Sequence, residues 1–361
     1  MLEFIPLEHY TLIYYLVAML VVLSTYQYTS NKEIMNAGDS KLNQLMFIFF
    51  LFVLLYIGLR PISGKYFGDM GTYARVFESY KNNAIITSNK DVYFNKFMSF
   101  LSRIVSVHTF FFICAFLYIY PLYLVSKKWF DKYWFYAFLM LTTAFSFWAY
   151  GTNGIRNGIA GSLFLLGISR NKKLWQVVWI VIAIGFHKSM LLPTLGYLFA
   201  LFLNKPKYFI VLWIVAIPLS LAFGGAWETL FASLGFEDER LSYLTDTVDE
   251  EKFSSIGFRW DFLLYSATAV FLGWYYIFKR HYQDKTYFLI YNTYLFANAF
   301  WILVIRANFS NRFAYLSWFM IALVACYPLL KEVIIPKQHK KLGLMLVGYF
   351  VITFALSIIL K

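Results

Sequence analysis

Three short stretches of this chain hold side chains that can do chemistry. The turn Phe186, His187, Lys188, Ser189 joins two apolar runs. Imidazole takes a proton near neutral pH, so His187 is a candidate general base, with the Lys188 cation beside it for substrate. A histidine at a membrane boundary can equally serve as a capping or hydrogen-bonding residue. The stretch 151–162 reads Gly-Thr-Asn-Gly-Ile-Arg-Asn-Gly-Ile-Ala-Gly-Ser. Asn153 is suited to cap a following helix, which places Arg156 in its first turn. Free backbone N–H groups and a guanidinium together favour an anion there, phosphate above all. Gly154, Gly158 and Gly161 share one helical face, a spacing that also serves close helix packing. The stretch 305–315 reads Ile-Arg-Ala-Asn-Phe-Ser-Asn-Arg-Phe-Ala-Tyr. Arg306 ends one apolar run and Arg312 begins the next, so a short turn brings two guanidinium groups within reach of one anion. Arginines beside a bilayer are costly without such a partner.

A fourth stretch, 60–107, is a long connection with its own periodicity. It opens on Arg60 and Pro61, passes through Gly64, Lys65, Tyr66, Phe67, Gly68 and Asp69, and continues to Tyr73, Phe77 and Tyr80. These aromatics, and then Tyr93, Phe94, Phe97, Phe100, Leu101 and Ile104, recur at helical spacing. Lys90, Lys96 and Arg103 interrupt the second set, which predicts amphipathic helices lying in the membrane interface. The aromatic belt fits membrane anchoring, and it equally fits a platform for sugar faces or a lipid chain. Asp69 is the second candidate base. The connection 224–260 is acidic, reading as a lid, a recognition element or a solvated charge run. It contains no Asp-x-Asp pair of a metal–nucleotide transferase, and no Cys/His spacing for a metal occurs anywhere.

The elements that must position these residues are membrane helices. Of 361 residues 60% are hydrophobic, 22% aromatic and 14% charged, with a formal net charge of +13. A soluble domain is about 45–50% apolar and about 25% charged, so neither a soluble globule nor a disordered chain fits. Nucleic-acid binding is excluded too, because the charges sit in islands between apolar runs rather than on one polar face. Cys114 and Cys326 fall inside apolar runs, as packing residues do.

A membrane helix needs about 20 mostly apolar residues. Twelve runs are candidates, roughly 10–26, 43–59, 108–126, 133–150, 154–169, 174–186, 188–203, 207–223, 261–279, 286–305, 311–330 and 342–360, with the two short runs inside 154–186 open to a tilted or re-entrant course. The first follows Glu3 and Glu8 and no basic residue, which predicts a retained helix rather than a secretory signal. The expected architecture is thus all-α: a polytopic integral membrane protein of about 12 transmembrane helices, a single transmembrane domain over 1–361. Basic residues accumulate on the cytoplasmic side. With the N-terminus outside, the cytoplasmic connections hold 17 Lys and Arg against 5 acids, leaving the outer face near neutral. Yet only Arg170 and Arg280 fall inside. Arg60, Arg75, Arg103, Arg156, Arg240, Arg259, Arg306 and Arg312 fall outside. Topology needs only charge, whereas the planar arginine fork grips phosphate or carboxylate in two places; snorkelling at the interface is the alternative.

In this order the pieces resemble the EpsG-like branch of bacterial Wzy-type polysaccharide polymerases. The resemblance rests on Arg60 with Asp69 and Tyr73, on Asn153, Ile155, Arg156 and Ala160, on His187 with Ser189, and on Arg312, Phe313 and Tyr315. It spans roughly 45–330, and Asn157 stands where the family more often has Gln. What it implies is a GT-C-like membrane glycosyltransferase in the bacterial cytoplasmic (inner) membrane, multi-pass, with its active site facing the periplasm or outside. Oligosaccharide repeat units on undecaprenyl pyrophosphate would be joined by inverting transfer, without metal or cofactor, with lipid pyrophosphate leaving. The implied roles are base for His187 or Asp69, stabilisation of the leaving pyrophosphate for Arg156, Arg306 and Arg312, and the acceptor pyrophosphate for Arg60. Tyr73, Asn153, Lys188 and Tyr315 would line the substrate. The implied partners are lipid-linked glycans, membrane lipids, a chain-length regulator and a flippase, with no nucleic acid. An O-antigen ligase-like transferase, a lipid-linked oligosaccharide flippase and a membrane acyltransferase are the competing readings.

Overall fold

The computed structural model describes residues 2–30, 40–86, 91–233, 257–307 and 310–359. Among the described residues every regular element is a helix and no strand occurs. Among the described residues six helical stretches are long and apolar enough to cross a bilayer: Leu7–Ser30, Val107–Thr142, Pro206–Trp227, Trp260–Lys279, Asn311–Lys331 and Gln338–Ile358. Shorter apolar helices cover Leu42–Gly58, Ile155–Ile168, Lys173–Phe186 and Lys188–Phe202. The chain is an all-helical, polytopic membrane protein.

The apolar runs and the helices do not match one to one, for local reasons. The run 133–150 breaks into Trp134–Thr142 and Phe145–Thr152. Thr142 and Thr143 turn their hydroxyls back onto the carbonyls of Phe138 and Leu139 at 2.8 and 2.7 Å, and Ala144 is extended. Such back-bonding competes with the helix ladder. The run 207–223 continues as a helix to Ser233 across a kink at Phe223. The acidic stretch expected at 224–260 lies, for 234–256, outside the described residues.

The chain divides into two compact units. The first comprises Met1–Lys188 with Leu329–Lys361, the second Ser189–Pro328. In the first unit α1 (Leu7–Ser30) packs on the helix Gln338–Phe354, and α2 (Ser40–Gly58) packs on the helix Val107–Phe130. Between α2 and that helix come α3 (Gly64–Phe67), α4 (Met70–Lys81) and α5 (Val92–Ser102), so the aromatic periodicity of 60–107 does form helices. Tyr73, Phe77 and Tyr80 are all buried along one face of α4, and Phe94 and Met98 along one face of α5. After α6 (Val107–Phe130), α7 (Trp134–Thr142) and α8 (Phe145–Thr152) come α9 (Ile155–Ile168) and α10 (Lys173–Phe186). The helix α9 lies against both α6 and α10, while α5 lies against α10.

Tyrosine is used here as an apolar body with a polar tip. The Tyr10 hydroxyl donates to the carbonyl of Tyr56 at 2.7 Å, and the Tyr56 hydroxyl donates back to that of Tyr10 at 2.8 Å. Tyr14 likewise donates to Thr142 at 2.6 Å and Tyr118 to Phe147 at 3.1 Å. Helix carbonyls accept these bonds without losing their own ladder, so these particular hydroxyls need no water.

The second unit is built on the helix Lys285–Leu303, against which Leu191–Phe202, Pro206–Ser233 and Asn311–Trp318 pack. Its centre is a satisfied polar knot. The Asn298 amide donates to Ser266 and Ser317 at 3.1 and 2.9 Å and accepts from the Trp213 indole at 2.7 Å. Ser266 also accepts from the Trp318 indole at 2.7 Å.

Candidate active site

The first unit brings α9 and the end of α10 to one carboxylate, that of Asp91 just before α5. Asp91 precedes α5 in the left-handed region (φ 46°, ψ 50°), a conformation open to Asp and Asn because their short polar side chains bond locally. At this position Asp91 reads as a helix cap, yet its side chain makes no cap bond to α5. It points instead at residues of other elements. Arg156 Nη1 donates to Oδ2 at 2.7 Å, the Lys188 backbone N–H donates to Oδ1 at 3.0 Å, and His187 Nε2 stands 4.0 Å from Oδ2.

Each partner is where its own element puts it. Arg156 occupies the first turn of α9, as its spacing predicts, and its Nε donates to the Tyr73 hydroxyl of α4 at 3.0 Å. The guanidinium also lies 5.6 Å from the centroid of that ring. His187 ends α10 with an extended backbone (φ −154°, ψ 118°), so the chain leaves the helix there and turns through Lys188–Met190. Gly185, two residues earlier, lets α5 come close: a Cβ there would stand 2.1 Å from the Tyr93 ring. The side chains of Asp91 and His187 are 6% and 7% exposed and that of Arg156 16%. A buried ion pair persists only when further hydrogen bonds satisfy its atoms, and here Tyr73 and the Lys188 N–H supply them.

A second junction adjoins Arg156. Asn153 is not the cap of α9: Gly154 holds that position, and Asn153 closes α8. Its Oδ1 accepts the backbone N–H of Asp69 at 2.8 Å, tying the α3–α4 turn to the 151–154 turn. Gly68 makes this approach possible, with φ 53° and an added Cβ only 2.4 Å from Asn153 Oδ1. Among the described residues the Asp69 carboxylate has no ion-pair partner. Of the small residues on α9, Gly158 shows the close packing that its spacing suggests, its Cβ position lying 2.7 Å from the Tyr150 carbonyl.

Arg60 is 2% exposed, in contrast to a surface cation. Its Nη2 donates to the Thr152 carbonyl at 3.2 Å and its Nη1 to that of Ile57. Its guanidinium carbon lies 5.7 Å from the ring centroids of both Phe67 and Phe111. Burial pulls its ordinary value down to about 10, above neutral, so it stays charged.

The second unit carries the remaining candidates. Arg306 is exposed, with Nη2 3.5 Å from the Leu221 carbonyl and its guanidinium 6.0 Å from the Phe258 ring centroid. Arg312 is half-buried in the first turn of Asn311–Trp318, and Tyr315 is buried one turn on. Of the residues singled out by sequence, Tyr73, Arg156, His187 and Lys188 thus meet at one point, and Asp69 and Asn153 at another. Asp91, the residue that joins the first group, carried no sequence signal beyond a cap-like position before an aromatic helix. Among the described residues no group of three or more His, Cys, Asp or Glu side chains is placed to hold a metal.

A polytopic helical membrane protein with a buried Arg–Asp–His cluster is the class that fold and site define. The chain belongs to the EpsG family, whose model matches residues 43–361. That makes it a polysaccharide polymerase-like membrane protein of the glycosyltransferase kind. Comparisons with curated proteins and with solved structures found no match.

Proposed function

We propose that the chain polymerises oligosaccharide repeat units carried on undecaprenyl pyrophosphate, at the outer face of the bacterial cytoplasmic membrane. The observation that supports this most is the Asp91 carboxylate held by Arg156 and set 4.0 Å from the His187 imidazole. An imidazole beside a fixed carboxylate is equipped to take a proton, since the resulting imidazolium is stabilised.

In this reading the acceptor sugar hydroxyl gives its proton to His187 as its oxygen attacks the anomeric carbon of the donor. The new C–O bond forms on the face opposite the leaving group, and the bond to the pyrophosphate oxygen breaks. The pair of electrons leaves with the lipid pyrophosphate, which inverts the anomeric centre. Arg156 offsets the Asp91 charge, and together with Tyr73 it holds the carboxylate in register. This adds a positioning role to the anion-stabilising one inferred for Arg156 from its place in a helix first turn. Arg306 and Arg312 are assigned the developing pyrophosphate charge, as befits their planar donors. Asp69 is the alternative base.

The test is reconstitution of the purified protein with one lipid-linked repeat unit. Products at multiples of the unit mean polymerase. Transfer to a lipid A core alone means ligase, altered leaflet exposure without new bonds means flippase, and acyl gain means acyltransferase. Within the polymerase outcome, His187→Ala should abolish multiples while Asp69→Asn retains them; the reverse result moves the base to Asp69.

A further inference from the structure

A second feature of the first unit lies at the end of α2. A cavity of about 370 Å³ is lined by Leu55, Gly58, Leu59, Arg60, His108, Thr109 and Phe112. That size falls within the range of about 300–1,000 Å³ typical of small-ligand sites. Its polar lining is a guanidinium, an imidazole and a hydroxyl, and no carboxylate is among the lining residues.

The charge balance here is unusual. Arg60 is nearly fully buried, its hydrogen bonds go to two backbone carbonyls, and its Nε is buried with no hydrogen-bond partner. No acidic side chain pairs with it among the described residues. Buried charges are normally paired, because an unbalanced ion in a low dielectric costs several kcal/mol. His108 likewise has no hydrogen-bond partner among the described residues. The Thr109 hydroxyl is engaged with Ser106 at 2.9 Å, so it adds polarity more than an open donor.

The rest of the lining is apolar, and it reaches the outside of the helix pair. Leu55 is 45% exposed one turn below Arg60. Gly58 lets α2 and α6 meet, since a Cβ there would stand 2.7 Å from Phe112 Cδ2. The cavity therefore has a cationic end beside α6's first turn and an apolar side along α2 that opens outward.

We propose that this cavity takes the phosphate group of a membrane lipid, with Arg60 as its counter-cation, His108 as a second donor, and the lipid's first methylenes along Leu55, Leu59 and Phe112. A phosphate monoester or diester supplies the missing negative charge, and the chain attached to it matches the apolar wall. A phospholipid and a polyisoprenyl phosphate share this chemistry. The proposal extends the acceptor-pyrophosphate role that the resemblance implies for Arg60, and because its readout is lipid retention rather than polymer, it can fail while the transfer reading stands.

The experiment is lipid binding to the purified full-length protein, followed by native mass spectrometry in detergent. The probes are polyisoprenyl phosphate, phosphatidylglycerol, diacylglycerol and inorganic phosphate. The expected result is retention of one or both lipid phosphates and not of diacylglycerol, with affinity falling at least 10-fold in Arg60→Gln. It should fall as far in Leu55→Trp, which fills the apolar side and keeps the charge, so that a poorly folded Arg60→Gln still leaves a test. Whichever lipid phosphate is retained names the source. Equal binding of diacylglycerol, retention of inorganic phosphate alone, or retention of lipid phosphate unchanged in Leu55→Trp would each overturn the proposal.

Discussion

Replacing Asp91 by Asn separates the chemical role of the carboxylate from its structural one. Asn tolerates the left-handed backbone at this position (φ 46°), so the turn before α5 is retained. Its side-chain oxygen can still accept the Lys188 N–H, but the negative charge is gone. Two unit charges 4.0 Å apart, the separation of His187 Nε2 from Asp91 Oδ2, attract by about 4 kcal/mol at an effective dielectric near 20. Arg156 on the same carboxylate cancels part of that field. Halving the figure leaves about 2 kcal/mol of lost imidazolium stabilisation, or about 30-fold in rate. The variant also leaves Arg156 without its counter-charge. Removing one partner of a buried pair costs about 3–5 kcal/mol, which its 16% exposed side chain reduces toward the lower figure. The double variant Asp91→Asn, Arg156→Gln removes both charges and should recover most of the stability, but not the rate. The assay pairs initial rates of repeat-unit joining with thermal unfolding of the same preparations. If Asp91→Asn retains rates within about threefold of the parent, or if the double variant restores rate along with stability, the carboxylate has no part in proton transfer.

Three further outcomes follow from the packing. Gly185→Ala sets a Cβ 2.1 Å from the Tyr93 ring, so that ring must swing out or α5 and α10 must part; unfolding measurements should show a loss of about 1–3 kcal/mol, with repeat-unit joining reduced as well. Gly68→Ala is strained both by its φ of 53° and by its 2.4 Å approach to Asn153 Oδ1, and it should cost about 1–3 kcal/mol in the same measurement. Asn298→Ala strands the indole of Trp213 and the hydroxyls around it, so the second unit should lose about 1–3 kcal/mol, read by hydrogen exchange along Lys285–Leu303.

The local parts of the candidate site are legible in the chain, and their union is not. Arg156 in a first turn, His187 at the end of an apolar run and Tyr73 on an aromatic stripe all follow from periodicity over a few residues. Asn153 shows where that reasoning stops. As a residue type it is a good cap, but the Asp69 N–H, 84 positions away, claims its oxygen. Asp91 shows it more plainly. Nothing near it in sequence explains why a cap-like aspartate should face away from its own helix.

The membrane class and the all-helical architecture can be read from composition and hydropathy, because bilayer thickness and helical period act on short segments. Which charges meet is decided by packing. Asp91 reaches Arg156 across 65 positions and the Lys188 N–H across 97, and both contacts exist because α5 lies against α10 while α10 lies against α9. The burial of Arg60 beside a cavity has the same origin. Hydropathy places it at a helix end, where an arginine can snorkel; the close approach of α2 and α6 at Gly58, with Phe67 and Phe111 against the guanidinium, takes it out of water. Local forces choose the elements, but a buried charge finds its partner only when distant elements close around it.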